Sequence, residues 1–216
     1  MPRKQDLAFF LSQKGYWVIY PRYRGSWESG GRFLEKSPDK DIRDVIDGLT
    51  QDLSEVTFGR KFRVAPRKIF VIGGSFGGTA AILSTLDPRV KKAVANCPVV
   101  DWSILPHAER KETSNKNYVA YLREAFGNAY RLRERDWAKL RTGRFYNPIF
   151  HFREIDPSKL LLFHAKDDPY VPWRSVDAFA EKTGTRLVML NRGGHLSTSR
   201  IIPRFWKSIE VFFQTP

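Results

Sequence analysis

Residues 69–78 read Ile-Phe-Val-Ile-Gly-Gly-Ser-Phe-Gly-Gly. The first four are apolar and mostly β-branched, and they predict a short buried strand over Ile69–Ile72. Glycines follow at once, and an apolar helical pattern then runs to about Leu86. The turn between strand and helix fits the pattern G-x-S-x-G over Gly73–Gly77, with Ser75 at its centre. Such a turn is so tight that small residues are needed at Gly73 and Gly77, and the serine is forced into a strained backbone that lifts its hydroxyl clear of the sheet. The helix then points its N-terminus at that hydroxyl, so its dipole and the Phe76 amide can stabilise an oxyanion. A glycine-rich turn of this kind also binds phosphate. The Gly-Lys-Ser/Thr that phosphate-binding loops carry is absent.

Outward from this stretch the alternation repeats. A strand is predicted at Ala93–Cys97, and further strands at Leu160–His164 and Arg186–Leu190, with a helix over Trp173–Lys182 between the last two. A closing helix runs from about Pro203 to Phe213. Upstream, Lys4–Lys14 reads as a helix stopped by Gly15, Tyr16–Tyr20 as a strand ended by Pro21, and residues 22–33 as a glycine-containing loop. Asp39 to about Phe58 reads as a helix, because Ile42, Val45, Ile46, Leu49 and Leu53 recur at helical spacing. Asp41, Asp44, Asp47 and Asp52 then form its wet face. About five short apolar strands alternating with helices predict an α/β fold with a mostly parallel sheet covered on both faces. The rhythm breaks over about 103–146, where Tyr118–Phe126 and Arg131–Leu140 are helical candidates, so this segment is expected to be a helical cap inserted into one domain spanning 1–216.

In a parallel sheet, ligands collect at the carboxyl ends of the strands. Two further groups fall there. Asp167 and Asp168 follow the strand that ends at His164, and either can serve as a carboxylate on that rim. His195 follows the last strand in Gly193-Gly-His195. A serine, a carboxylate and a histidine on one rim are the parts of a nucleophilic triad: the imidazole takes the Ser75 proton and returns it to the leaving group, while the carboxylate holds the tautomer. His107, His151 and His164 have no partners at metal-ligand spacing, and Cys97 is the only cysteine, so no metal or other cofactor is expected. A lone cysteine in a strand reads as a buried thiol and fits a reducing cytoplasm.

The net charge of +14 over 216 residues raises the question of an anionic partner. Lys and Arg occur along the whole chain, although residues 107–153 hold eleven against five Asp or Glu. That spread argues for solvated surface charge and against a nucleic-acid site, and the tryptophans are too dispersed for a base-stacking platform. No apolar run approaches the roughly 20 residues of a membrane helix.

Taken together these motifs resemble the prolyl oligopeptidase-like branch of the α/β-hydrolase superfamily over nearly the whole chain. Arg24-Gly-Ser26 is similar to its arginine-glycine loop, Gly73–Gly78 to its nucleophile motif, and Asn147-Pro-Ile149 to the segment entering its acid strand. The run His164–Pro172 resembles its His-Gly-x-x-Asp-x-x-Val-Pro pattern, in which the acid lies four residues after the histidine, and this selects Asp168. Gly194-His195 resembles its catalytic histidine motif. The resemblance implies a serine hydrolase acting on a small ester or peptide substrate, with Ser75, Asp168 and His195 as triad and the Phe76 amide in the oxyanion hole. The alternative is a catalytically impaired hydrolase-fold module that binds a partner or an anionic surface.

One departure sets a further expectation. In the family, a strand and a glycine-rich loop that supplies part of the oxyanion hole precede the first helix seen here, and the family's β-propeller lies farther upstream. That strand would lie between Tyr16–Tyr20 and Ile69–Ile72, so both edges are expected to lack a partner unless they close up or a second subunit or an upstream segment fills the gap. With one donor missing, the turnover number of residues 1–216 is expected to be about 100 to 1,000-fold below that of a chain extended upstream, measured with the same ester.

Overall fold

The computed structural model describes residues 4–104 and 115–215. Helices α1 (Lys4–Ser12) and α2 (Pro38–Gly48) are followed by a short antiparallel pair, β1 (Leu53–Ser54) and β2 (Lys61–Phe62). Then come β3 (Ile69–Gly74), α3 (Phe76–Ser84) and β4 (Val90–Asn96). Helices α4 (Asn115–Phe126) and α5 (Glu134–Ala138) intervene before β5 (Leu160–Ala165), α6 (Trp173–Thr183), β6 (Arg186–Leu190), α7 (Thr198–Arg204) and α8 (Trp206–Gln214). Strands β3, β4, β5 and β6 lie side by side in that order, all parallel.

Side chains alternate across the pleat, and this sorts the core into two layers. Ala93 and Ala95 of β4 and Leu160 and Leu162 of β5 face one way, against Ala80–Leu83 of α3 and Val176 and Phe179 of α6. Val94, Leu161 and Phe163 face the other way, against Leu11, Ile202, Trp206, Ile209 and Phe213 of α1, α7 and α8. β5, and β4 beyond the exposed Lys91, are therefore buried on both faces, which is why Ala93–Ala95 and Leu160–Phe163 read as apolar runs. The architecture is α/β as expected, with helices on both faces of a parallel sheet. Its four strands are one fewer than expected.

The missing strand is Tyr16–Tyr20. This segment is extended, and its side chains alternate: Tyr16 and Val18 pack onto the lower core, with the Tyr16 ring 5.8 Å from that of Trp206, while Trp17, Ile19 and Tyr20 are exposed. Its backbone pairs with no strand among the described residues, and β3 is an edge of the sheet. The alternation is that of a strand; the partner that would make it one is not beside it.

Three further expectations are corrected. α2 ends at Gly48, ten residues short of the predicted helix. Leu49 donates back to Ile46 and accepts from Val64, so the chain turns into the β1–β2 hairpin, and the helical spacing of Leu49 and Leu53 arises from a turn and a strand. The acids of α2 are not a uniformly wet face, since Asp41 is buried and receives both the amide and the Nε of Arg24, at 2.9 and 3.0 Å. The closing helix begins at Trp206, and Pro203 belongs to α7, which Phe205 ends by leaving helical geometry at φ −107°, ψ 20°.

Phe163 is fully buried on β5 and packs 5.2 Å from Phe205. Phe163→Ala should destabilise the protein by about 3–5 kcal/mol through lost burial and the cavity it leaves, read from urea unfolding.

Candidate active site

Ser75 stands between β3 and α3 at φ 54°, ψ −121°, a backbone that L-residues rarely adopt. Its amide donates to the Asn96 carbonyl of the neighbouring strand at 2.8 Å, which anchors the turn to the sheet. A Cβ on Gly73 would overlap the Gly77 carbonyl, and one on Gly78 would come within 2.9 Å of Pro98, so the glycines are needed for the chain to pass itself. The Phe76 amide has no hydrogen-bond partner among the described residues. Around the Phe76 ring stand those of Tyr146, Phe33 and Tyr23 at 4.7, 5.5 and 5.6 Å, and the buried Tyr146 hydroxyl donates to the Phe76 carbonyl. The first turn of α3 is thereby clamped.

The structure brings Asp168 and His195 together: His195 Nδ1 lies 2.9 Å from Asp168 Oδ2. The other carboxylate oxygen accepts the amides of Tyr170 and Val171 at 2.9 and 3.0 Å. Burial alone would raise the Asp168 carboxyl, but the hydrogen bonds from His195 and the two amides outweigh it and hold the group at about 2. The ion is therefore kept next to the imidazole, whose ring is also met edge-on by Tyr170 at 5.3 Å. The Ser75 hydroxyl makes no hydrogen bond among the described residues, to His195 or to any other group. It is linked to the histidine loop through its neighbours, because a Cβ on Gly74 would overlap the hydroxyl of Thr198, three residues after His195.

Asn96 escaped sequence reasoning, and three residues named there, Asp167, His164 and the buried Cys97, take places in this region that the sequence did not assign. Asn96 is fully buried at the end of β4; its carbonyl takes the Ser75 amide and its side-chain nitrogen donates to the Leu196 carbonyl at 2.5 Å. It thus bridges the serine turn to the histidine loop. Asp167, the rival of Asp168, accepts the Gly194 amide at 2.8 Å and fastens that same loop. His164 is buried, its Nε2 is 3.1 Å from the Val171 carbonyl, and burial pushes its pKa down, so the neutral ring donates to and shapes the acid turn. Cys97, at φ 45°, closes the group; no motif marked these roles, since each depends on which strand ends are neighbours.

Cys97 Sγ, an Asp168 oxygen and a His195 nitrogen lie within 4.8 Å of one another, a group that could hold a metal. The donors do not fit that use well. Burial, and then the Asp168 carboxylate, push the Cys97 thiol up, which opposes the thiolate a metal needs, and His195 Nδ1 is already engaged by Asp168. Of the other motif residues, Arg24 is tied to Asp41 and to Asp44, and the Ile149 amide donates to Val100 at 2.9 Å. His151 lies in a surface network with Arg144 and Glu154, and His107 lies outside the described residues.

A family model described as the prolyl oligopeptidase family matches residues 4–213. The chain belongs to the prolyl oligopeptidase family. Membership places it among the hydrolases of the α/β-hydrolase superfamily. No curated protein matches it in sequence. Among solved structures, an esterase of Pyrococcus furiosus is 23% identical, with a TM-score of 0.65 over 98% of this chain and 75% of the other. The α/β-hydrolase GrgF of a Penicillium species is 15% identical, with a TM-score of 0.69 over 97% and 83%. A monoacylglycerol lipase of Paleococcus ferrophilus is 18% identical, with a TM-score of 0.61 over 96% and 87%. These likenesses establish the fold of this prolyl oligopeptidase family member. No helix of its described residues is long and apolar enough to cross a membrane.

Asn96→Ala keeps the carbonyl that takes the Ser75 amide but removes the side-chain bond to the histidine loop, so it should lower kcat about 10 to 100-fold while leaving KM within a few fold, a split that marks misplaced groups and not lost binding. Steady-state kinetics on a chromogenic ester checks this.

Proposed function

We propose that this chain hydrolyses an ester or peptide bond through an acyl-Ser75 intermediate. The observation that carries the reading is the 2.9 Å hydrogen bond between Asp168 and His195, on the same strand-end rim as a serine at φ 54°. Ser75 Oγ attacks the substrate carbonyl and gives its proton to His195 Nε2. The carbonyl oxygen becomes an oxyanion beside the free Phe76 amide at the N-terminus of α3. Collapse of that intermediate breaks the bond to the leaving group, which takes the proton from His195, and water repeats the sequence to release the acid. Asp168 holds the imidazole tautomer and stabilises its cation. On this reading the serine–histidine hydrogen bond, not made among the described residues here, forms when substrate arrives, as catalytic contacts commonly do.

The esterase and lipase likenesses favour small esters over peptides as substrate. On this reading residues 1–216 act as one catalytic domain, with residues 103–146 as a cap. The single buried Cys97 supports a cytoplasmic setting. A second reading, a partner-binding module, has one observation in its favour: among the described residues β3 is an edge of the sheet, and Tyr16–Tyr20 is extended without belonging to any strand. A strand from a second copy or from an upstream segment would satisfy that edge and could add an oxyanion donor.

A fluorophosphonate probe should label Ser75, located by peptide mass spectrometry; a folded, active protein that stays unlabelled there would sink the reading. Asp168→Asn should cost about 10⁴-fold in kcat. Since Asp168 is held at about 2, the stability it gives is full above the ordinary carboxylate value of 3.8 and is lost as pH falls through about 2. The Tm gap between the parent protein and Asp168→Asn should therefore be widest above that value and close toward pH 2.

A further inference from the structure

The segment between α4 and α5 folds against the 22–35 loop. Ser26 bridges to Tyr130 and Phe33 to Leu132, and the Phe33 amide donates to the Arg131 carbonyl at 2.9 Å. Between them is an open cavity of about 400 Å³ walled by Arg32, Arg123, Arg131 and Arg133, with Asn128 and Tyr130 adding uncharged polar groups. That size suits a small ligand. Nothing in the proposed reaction uses it.

Charge at this cavity is not balanced. Arg32 pairs with Glu35, but its Nε is buried with no hydrogen-bond partner. Arg131 is held by three backbone carbonyls, those of Trp27, Ser29 and Gly31, and Arg123 by the Leu132 carbonyl at 3.3 Å. Neither meets a carboxylate among the described residues, and the Arg133 guanidinium makes neither a hydrogen bond nor an ion pair there, its residue being held only through the backbone carbonyl, which accepts the Asp136 and Trp137 amides. Carbonyls fix the position of a guanidinium without cancelling its charge. Three cations brought together in this way repel one another, and the arrangement becomes favourable when an anion sits among them.

We propose that this cavity binds the phosphate group of a small molecule. A phosphate accepts several forked guanidinium contacts at once and carries the multiple charge that three unbalanced arginines call for, which a single carboxylate does not. The site is linked to the elbow through rings: Tyr130 stacks edge-on to Phe33 at 5.2 Å, and Phe33 lies 5.5 Å from Phe76. Binding does not require Ser75 to be a nucleophile, so this inference stands or falls separately from the proposed reaction.

Isothermal titration of the whole chain with inorganic pyrophosphate tests it. The expected result is saturable binding at one site, weakened about tenfold or more by Arg133→Gln and by Arg123→Gln, and unchanged by Ser75→Ala or by Lys207→Gln on the opposite face. Arg133→Lys, which keeps the charge but loses the fork, should fall between. Absence of saturation up to about 1 mM, or equal binding by the arginine variants, overturns the proposal. Binding only to single-stranded oligonucleotide or to phosphatidic acid vesicles, with pyrophosphate inert, also overturns it, because it assigns the basic surface to a macromolecule.

Discussion

The candidate site is held from the carboxyl end of β4. Asn96 sits at the centre of the sheet, between the strand that delivers Ser75 and the strand that delivers Asp168, and it is the residue bonded to both the serine turn and the histidine loop. Its neighbour Cys97 donates its amide to Phe163 at 2.8 Å, which locks the end of β4 to β5 just before the acid turn. Three loops from distant parts of the chain thus share one anchor. A buried amide that left one of these bonds unmade would lose the full cost of its desolvation, so the three positions are specified together.

Around that anchor, the chemistry is arranged by opposition of two effects on Asp168. Burial disfavours its charge, and three donors restore it. The same loop supplies a second carboxylate one residue earlier with a different duty, for Asp167 is exposed and spends itself on the Gly194 amide. Adjacent residues of the same type therefore divide the work of holding the histidine ring and holding the histidine loop. His164, neutral and bonded to the Val171 carbonyl, sets the curvature of the turn that makes this division possible.

The elements buried on both faces were the most legible. β5 is a leucine-rich run buried on both faces, which a one-sided helix cannot satisfy, and its observed ends lie within one residue of those expected, while β4, which carries Lys91 and Lys92 near its start, and the half-buried β6 lie within three. The Ser75 and His195 candidates were legible for another reason: strained turns and tight loops restrict which residues can occupy them, so glycines mark the spot, whereas Asp168 was singled out from Asp167 only by the resemblance of His164–Pro172 to the family pattern. Tyr16–Tyr20 misled, since alternation reports exposure and not pairing. Leu49 and Leu53 misled in the same way, the first buried from a turn and the second half-buried from a hairpin at a spacing that happens to match a helix.

By itself, then, the sequence determined the alternating α/β pattern, the strained serine turn and the short loops that carry an acid and a histidine, because local sterics and hydrophobic period are written in neighbouring residues. Only the tertiary structure decided that Asp167 takes the Gly194 amide while Asp168 bonds the His195 ring, that Asn96 joins their loops to Ser75, and that four arginines from two segments surround one cavity. Those outcomes depend on which strand ends and loops become neighbours, and contacts between residues up to 100 positions apart leave no periodic trace along the chain.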